Sequence, residues 1–486
     1  MTQLHELSAR AQRDAVANGD LTPTELARHY LDRISRLNGR LGAFVTVTPD
    51  VALERAANLE HAGHSAAGHS AAGHSAAGTR PWLFGLPLAD KDLVQRAGVR
   101  TTFGSRAFSD FVSEVSDPMA VALDAAGGVS LGKTNTPEFG MSSYSENLVA
   151  EVTRNPWGLP LDPGGSSGGA AVAVSAGLLP VAPGSDGGGS IRIPAAATGL
   201  VGIKPSRGLV PAGTALDGLG GLTVPGSLGR SVADAAMLLD ALAVGDAPFT
   251  VRAPREWPSS LEAAAAAASP GTLDIAVVTT SPWDSSVDIT VDDDAVAALE
   301  LVVSELTRLG HRIHRHSPEW PETYPQHFTT VWQSAASTIP IEGERLELLE
   351  PLTRWLIDEG RRHSAQQLAV ALRGFADFER SVIAQFAPFD AVLTPALAQS
   401  PRPLGWYSSD PERNFEQQVQ FTPFTSFVNV SGLPAIALPV TESSLGLPVG
   451  VQFIGRPGGE HTLVSLAAQF ERDGAWGDRH PPSWFD

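Results

Sequence analysis

Lysine is rare in this chain, and the few positions that keep it are the first place to look for chemistry. Of 34 basic residues only Lys91, Lys133 and Lys204 are lysines. A guanidinium keeps its proton, whereas a buried amine can be driven toward its neutral form and act as a base. Lys91 is the best placed of the three. It ends the run Phe84-Gly85-Leu86-Pro87-Leu88-Ala89-Asp90-Lys91, which reads as an interior strand, although by itself it is also readable as a strand-end lysine paired with Asp90 or Asp92. Lys133 completes Ser130-x-x-Lys133, a pattern that activates a serine only when both side chains share a helix face. Its segment reads as a strand, where positions three apart face opposite ways, so Lys133 is expected to be structural.

Two glycine-serine loops supply candidate nucleophiles. Gly164-Gly165-Ser166-Ser167-Gly168-Gly169 and Gly184-Ser185-Asp186-Gly187-Gly188-Gly189-Ser190 set Ser166 and Ser190 24 residues apart. Glycines beside a reactive serine let backbone N–H groups approach a developing oxyanion without obstruction. Flexible loops alone would account for the glycines but not for Gly-Gly-Ser recurring in both. Gly164-x-Ser166-x-Gly168 also has the form of a nucleophile elbow, which must follow a core strand directly; the proline-broken Trp157 to Pro163 precedes it here, and that reading fails.

With these pieces in view the chain resembles the amidase signature family from about residue 6 to residue 471. The matching segments are Gly85-Leu86-Pro87 to Lys91-Asp92, Gly132-Lys133-Thr134-Asn135, Asn155-Pro156-Trp157, both glycine-serine loops, Gly202-Ile203-Lys204-Pro205, Gly432-Leu433-Pro434-Ala435 and Leu447-Pro448-Val449-Gly450-Val451-Gln452. The resemblance implies an amidase that hydrolyses a carboxylic amide, or a related anilide, carbamate, oligoamide or ester, with a Ser190–Ser166–Lys91 triad: Ser190 forms an acyl-enzyme, Ser166 follows a cis peptide and relays protons, and Lys91 is the neutral base. It further implies an oxyanion hole from the N–H groups of Gly187, Gly188, Gly189 and Ser190, and a supporting hydrogen-bond shell of Ser167, Asp186 and Arg192. Gly140, Met141 and Ser142 are expected at the substrate. The implied fold is α/β, a twisted mixed β-sheet covered by helices on both faces. Two departures matter. Glycine at 187, where the family commonly carries a larger residue, would loosen the hole or widen the floor beneath the substrate. Ile193 stands where the A subunits of tRNA-dependent amidotransferases typically have glutamine, which argues against the alternative of a glutaminase in a multi-subunit complex; a catalytically silent binding protein is disfavoured by the intact triad.

The elements that must position these residues are partly legible. Thr22-Pro23-Thr24-Glu25 reads as a capping box with proline at the first helical position, opening a helix to about Leu37. A helix is expected near 295–309 and another near 461–470, with strands at 313–316, 390–395, 435–440 and 449–454. Residues 251–389 show little pattern and are taken as a variable region within one domain spanning 1–486. Between 61 and 78 a Gly-His-Ser-Ala-Ala repeat spaces His64, His69 and His74 evenly; glycine and alanine supply no rigid frame for a metal, so a flexible loop is expected. His314 and His316 would share a strand face and read as surface residues, with no carboxylate at ligand spacing.

Composition excludes several classes. A net charge of -19 leaves no electrostatic footprint for nucleic acid or anionic lipid, and no cysteine is present to form a disulfide, a thiolate metal site or a thiol nucleophile. No cofactor or metal is implied, the partner is a small-molecule amide, and a homodimer is the oligomer left to test. The N-terminal residues lack the charge-then-apolar pattern of a leader and no window of about 20 apolar residues occurs, so a cytoplasmic location is expected. The physiological substrate is not written in the motifs.

Overall fold

The computed structural model describes residues 3–66, 81–211, 218–243, 257–474, 476 and 479–486. Among them the strands form two sheets. The smaller holds β1 (Phe44–Val47), β2 (Pro87–Lys91) and β3 (Val129–Thr134) in the order β1-β3-β2, with β2 and β3 parallel. The larger holds β4 (Val181–Asp186), β5 (Val201–Lys204), β6 (Val224–Gly229), β7 (Asp274–Val277), β8 (Arg312–Arg315), β9 (Ala391–Pro395), β10 (Ala435–Glu442) and β11 (Pro448–Gly455). Their order is β4-β6-β5-β10-β11-β9-β7-β8. Pairing is antiparallel from β4 to β9 and parallel between β9, β7 and β8, so the sheet is mixed, as expected.

Both faces of the large sheet are covered because its central strands are apolar at successive positions, and successive side chains point to opposite faces. On β7, Ile275 and Val277 pack into one core while Ala276 joins a second; on β9, Ala391 and Leu393 divide from Val392 in the same way. The first core also takes in the helices Val232–Ala243, Asp293–Arg308 and Glu460–Gly474, the second the helices Tyr324–Ala336 and Ala365–Phe386.

The Thr22 hydroxyl accepts from the Glu25 N–H and the Glu25 carboxylate accepts from the Thr22 N–H, the capping box read in the sequence. That helix runs a turn past the expected end, from Pro23 to Leu41, and closes where Gly42 takes φ +61°. The strands expected at 313–316, 390–395, 435–440 and 449–454 are β8, β9, β10 and β11, with ends shifted by a residue or two. Residues 251–389 are less irregular than expected. Among the described ones, β7 and β8 complete the edge of the large sheet and five α-helices, from Leu261–Ala267 to Ala365–Phe386, follow the same stretch. A carboxylate does reach His314, contrary to expectation: Asp274 Oδ1 on neighbouring β7 lies 2.8 Å from His314 Nε2. Asp274 is also held by Arg312, and among the described residues no cluster of three or more metal-ligating side chains occurs.

The expected loop at 61–78 begins differently. Residues 61–66 are the last part of the helix Pro49–Ala66, where alanine favours continuation, and His69 and His74 lie outside the described residues. No helix among the described residues is long and apolar enough to cross a membrane. Thr22→Ala removes the cap of the helix Pro23–Leu41 and should cost about 1 kcal/mol of stability, measured as a lower denaturation midpoint.

Candidate active site

The end of β2 and the end of β4 bring the small and large sheets together, and the reactive groups gather at this seam. Lys91, the last residue of β2, is fully buried. Its Nζ lies 2.7 Å from Ser166 Oγ, 3.2 Å from Ser185 Oγ and 3.5 Å from the Ser185 carbonyl. The lysine meets the hydroxyls of Ser166 and Ser185, while Asp90 is paired with Arg96 and Asp92 accepts from the Thr102 N–H at 2.9 Å.

Ser166 follows the cis peptide Gly165–Ser166 and is buried at the entrance of the helix Gly168–Ser175. Only glycine fits at 165, where a Cβ would stand 2.3 Å from the Tyr144 carbonyl oxygen. Ser167 ties the two glycine-serine loops together, its N–H donating to the Ser190 carbonyl at 3.1 Å and its hydroxyl to the Ser185 carbonyl at 3.3 Å.

Ser190 sits on the turn between β4 and the helix Arg192–Thr198, and the shape of that turn is set by Asp186. The Asp186 carboxylate accepts from the Gly189 N–H at 2.7 Å, the Ile191 N–H at 3.1 Å, Arg192 Nε at 3.0 Å and Nη2 at 2.8 Å, and Asn429 Nδ2 at 2.9 Å. Burial opposes its charge, but the Arg192 guanidinium and these donors outweigh burial and hold the carboxyl well below the usual carboxylate range. Arg192 in turn donates to the Thr425 carbonyl at 3.0 Å, Gln452 Oε1 at 2.5 Å and Asn429 Oδ1 at 2.5 Å. Thr425 Oγ1 donates to the Gly188 carbonyl at 2.6 Å.

This network corrects one expectation. The Gly189 N–H, assigned to the oxyanion hole by resemblance, is given to Asp186 and points into the support, because the Gly188 carbonyl is drawn the other way by Thr425. Glycine is still required at 189: φ is +131° and a Cβ would lie 2.4 Å from Thr425 Oγ1. The N–H groups of Gly187, Gly188 and Ser190 have no acceptor among the described residues, which leaves them for a ligand.

Gly140, Met141 and Ser142 fall beside the serines. Gly140 and Met141 line a cavity of about 880 Å³, its mouth included, together with Ser166, Ser185 and Ser190. All three line a second cavity, of about 510 Å³, that also reaches Ser190. Gly187 lines the first cavity, where a Cβ would meet Thr223 Oγ1 at 3.2 Å and the Trp332 ring at 3.5 Å. The other two lysines are elsewhere. Lys133 is buried with its amine against the Val94 carbonyl, and burial lowers its pKa; Lys204, pushed down to about 7 by burial and by Arg192, donates to the Pro205 carbonyl at 2.8 Å.

Sequence reasoning missed Ser185, which shares the lysine, and Thr425, Asn429 and Gln452. Ser185 was available as a neighbour of Asp186 inside a loop already singled out, and Gln452 lay in a matching segment but was given no role; Thr425 and Asn429 carry no local signal.

Arg192 has one buried counter-charge, so Asp186→Asn should destabilise the protein by about 3–5 kcal/mol and disorder the Ser190 turn, with loss of hydrolysis. Because the folded-state pKa of Asp186 is depressed, its contribution is complete above the ordinary carboxylate range and is lost as pH falls. The stability gap between wild type and Asp186→Asn, followed by denaturant unfolding, should thus be full above about pH 5 and close progressively below about pH 4.

A family model described as Amidase matches residues 25–464. The chain is 36% identical over 483 residues to "Putative amidase AmiB2" of Mycobacterium tuberculosis (strain ATCC 25618 / H37Rv), covering 99% of each chain. It is 30% identical over 502 residues to the A subunit of the glutamyl-tRNA(Gln) amidotransferase of Acinetobacter baumannii (strain AB0057), covering 98% of each. Its fold is similar to that of 6-aminohexanoate cyclic dimer hydrolase, with a TM-score of 0.88 and 28% identity over 99% of this chain and 100% of that one.

Proposed function

The chain belongs to the amidase family, hydrolases of amide C–N bonds, and from that premise we propose that it is a stand-alone amidase working through an acyl-enzyme on Ser190, with Ser166 and Lys91 as its proton relay. The observation that carries this reading is the buried contact of 2.7 Å between Lys91 Nζ and Ser166 Oγ, in a seam whose cavity Ser190 also lines. The reading takes Lys91 in its neutral form, which has a lone pair for a proton. Lys91 takes the proton of Ser166 while Ser166 takes that of Ser190, and Ser190 Oγ attacks the carbonyl carbon. The tetrahedral oxyanion is received by the N–H groups of Gly187, Gly188 and Ser190. Ser166 then passes its proton to the leaving nitrogen and recovers the one on Lys91, and the amine departs. Water, deprotonated along the same relay, releases the acid and restores Ser190.

The identity with an amidotransferase component supports a second reading, a glutaminase inside a complex. Ile193 weighs against it. Co-purification from the native source with two further proteins would favour the complex; a fully active lone chain favours the amidase.

Ser190→Ala should retain the fold and lose turnover and labelling by a serine-directed reagent together; near-wild-type turnover in a folded variant would sink the triad. Lys91→Arg should be as inactive as Lys91→Ala, since it keeps the charge but cannot accept a proton. Ser166→Ala should lower kcat on an anilide by about 10²–10⁴-fold and clearly less on the matched nitrophenyl ester, whose phenolate leaves without protonation. Equal losses on the two would show that Ser166 serves only to activate Ser190.

A further inference from the structure

Two cavities meet at Ser190, and they differ in kind. The larger is lined by Ser166 and Ser185. The smaller is reached by neither; its walls are Trp283, Phe328, Trp332 and Phe415, with Gly188 at its floor. Phe328 lies nearly parallel to Trp332, centroids 5.6 Å apart at 17°, and meets Trp283 edge-on at 5.4 Å and 76°. Trp283 and Gln418 at this cavity are engaged by protein partners. Trp283 Nε1 donates to Ser426 Oγ at 2.9 Å, and Ser426 Oγ shares a further hydrogen bond of 2.8 Å with Tyr324. Gln418 accepts from the Ser143 N–H at 2.9 Å and donates to Asn414 Oδ1 at 2.7 Å. Among the described residues that line it, none carries a charge.

We propose that this aromatic cavity is the acyl subsite and that it selects a neutral aromatic acyl group, with Phe415 and Trp332 as specificity-determining residues. The inference rests on the roles given above to Ser190 and Ser166. A leaving nitrogen must lie where Ser166 can protonate it, so the amine portion occupies the Ser166 side. The acyl substituent, on the other side of the carbonyl carbon, is directed into the aromatic cavity. Flat apolar walls favour a ring, by burial and by offset or edge-to-face contact. A carboxylate or ammonium there would lose its hydration with no counter-charge to replace it. Trp332 lines both cavities and its ring lies beside Gly187, so its indole is the partition between acyl and amine portions. Free glutamine, with an ammonium and a carboxylate on its acyl portion, is excluded by the same surface.

The test is a set of 4-nitroanilides with one leaving group and varied acyl groups: acetyl, phenylacetyl, benzoyl and the anionic succinyl, with ammonia release from L-glutamine measured alongside. The expected kcat/KM for the better aromatic acyl group exceeds that for acetyl by about 10–100-fold, succinyl falls below acetyl, and glutamine is not hydrolysed. Phe415→Ala should collapse the aromatic-to-acetyl ratio without altering the ranking of acetanilides that differ only in the amine. Phe415→Leu, which preserves a buried apolar side chain, covers the case in which the alanine variant does not fold, and should reduce the same ratio in part. Equal kcat/KM for acetyl and aromatic acyl groups, or a Phe415 variant that changes amine ranking instead, overturns the assignment. In either case serine labelling at Ser190 would persist; loss of all hydrolysis together with absent labelling would instead strike the Ser190 reading itself.

Discussion

The buried ion pair between Asp186 and Arg192 is the joint on which the catalytic geometry depends. A carboxylate and a guanidinium both without exposure are costly to desolvate, and the cost is offset only because nearly every lone pair and N–H is engaged. Those partners are drawn from distant parts of the chain: the turn at 189–191, the segment 425–429 and Gln452 on β11. The pair thereby fixes Ser190 relative to the large sheet. The small sheet brings Lys91 to the same place through β2, and Ser166 and Ser167 bridge the two.

Backbone polarity around Ser190 follows from this joint. One N–H of the glycine run is spent on Asp186 and one carbonyl on Thr425, and the N–H groups of Gly187, Gly188 and Ser190 have no acceptor among the described residues. Oriented dipoles of this kind stabilise developing charge without reorganisation at the moment of reaction. The described residues that line the aromatic cavity are uncharged, and an oriented donor counts for more in such a setting.

Much of the candidate site was legible because its residue types are conspicuous. Three lysines among 34 basic residues and two Gly-Gly-Ser runs announce themselves without an alignment, and the Thr22–Glu25 cap and the strands β9 to β11 follow from local pattern. The illegible parts act at a distance. Thr425, Asn429 and Gln452 are ordinary polar residues whose role exists only once three segments converge on Arg192. The four aromatic walls come from two separate helices and a loop, in or beyond a region whose periodicity was too weak to show β7. Gly189 shows the limit of resemblance, since glycine is required there by φ and by Thr425 while its N–H serves Asp186.

The central claim is that Lys91 is an uncharged amine when the enzyme is active, and the scarcity of lysine makes this directly observable. Protein labelled with ¹³C at the lysine ε position carries three labelled side chains, Lys91, Lys133 and Lys204, and loss of one signal in Lys91→Arg assigns Lys91. A pH titration followed by NMR should show the Lys91 carbon at the shift of a neutral amine throughout the plateau of kcat/KM, changing to the ammonium shift along the acid limb of the rate profile. A Lys91 signal that remains that of an ammonium across the plateau would contradict the account and leave Lys91 a positioning cation beside some other base.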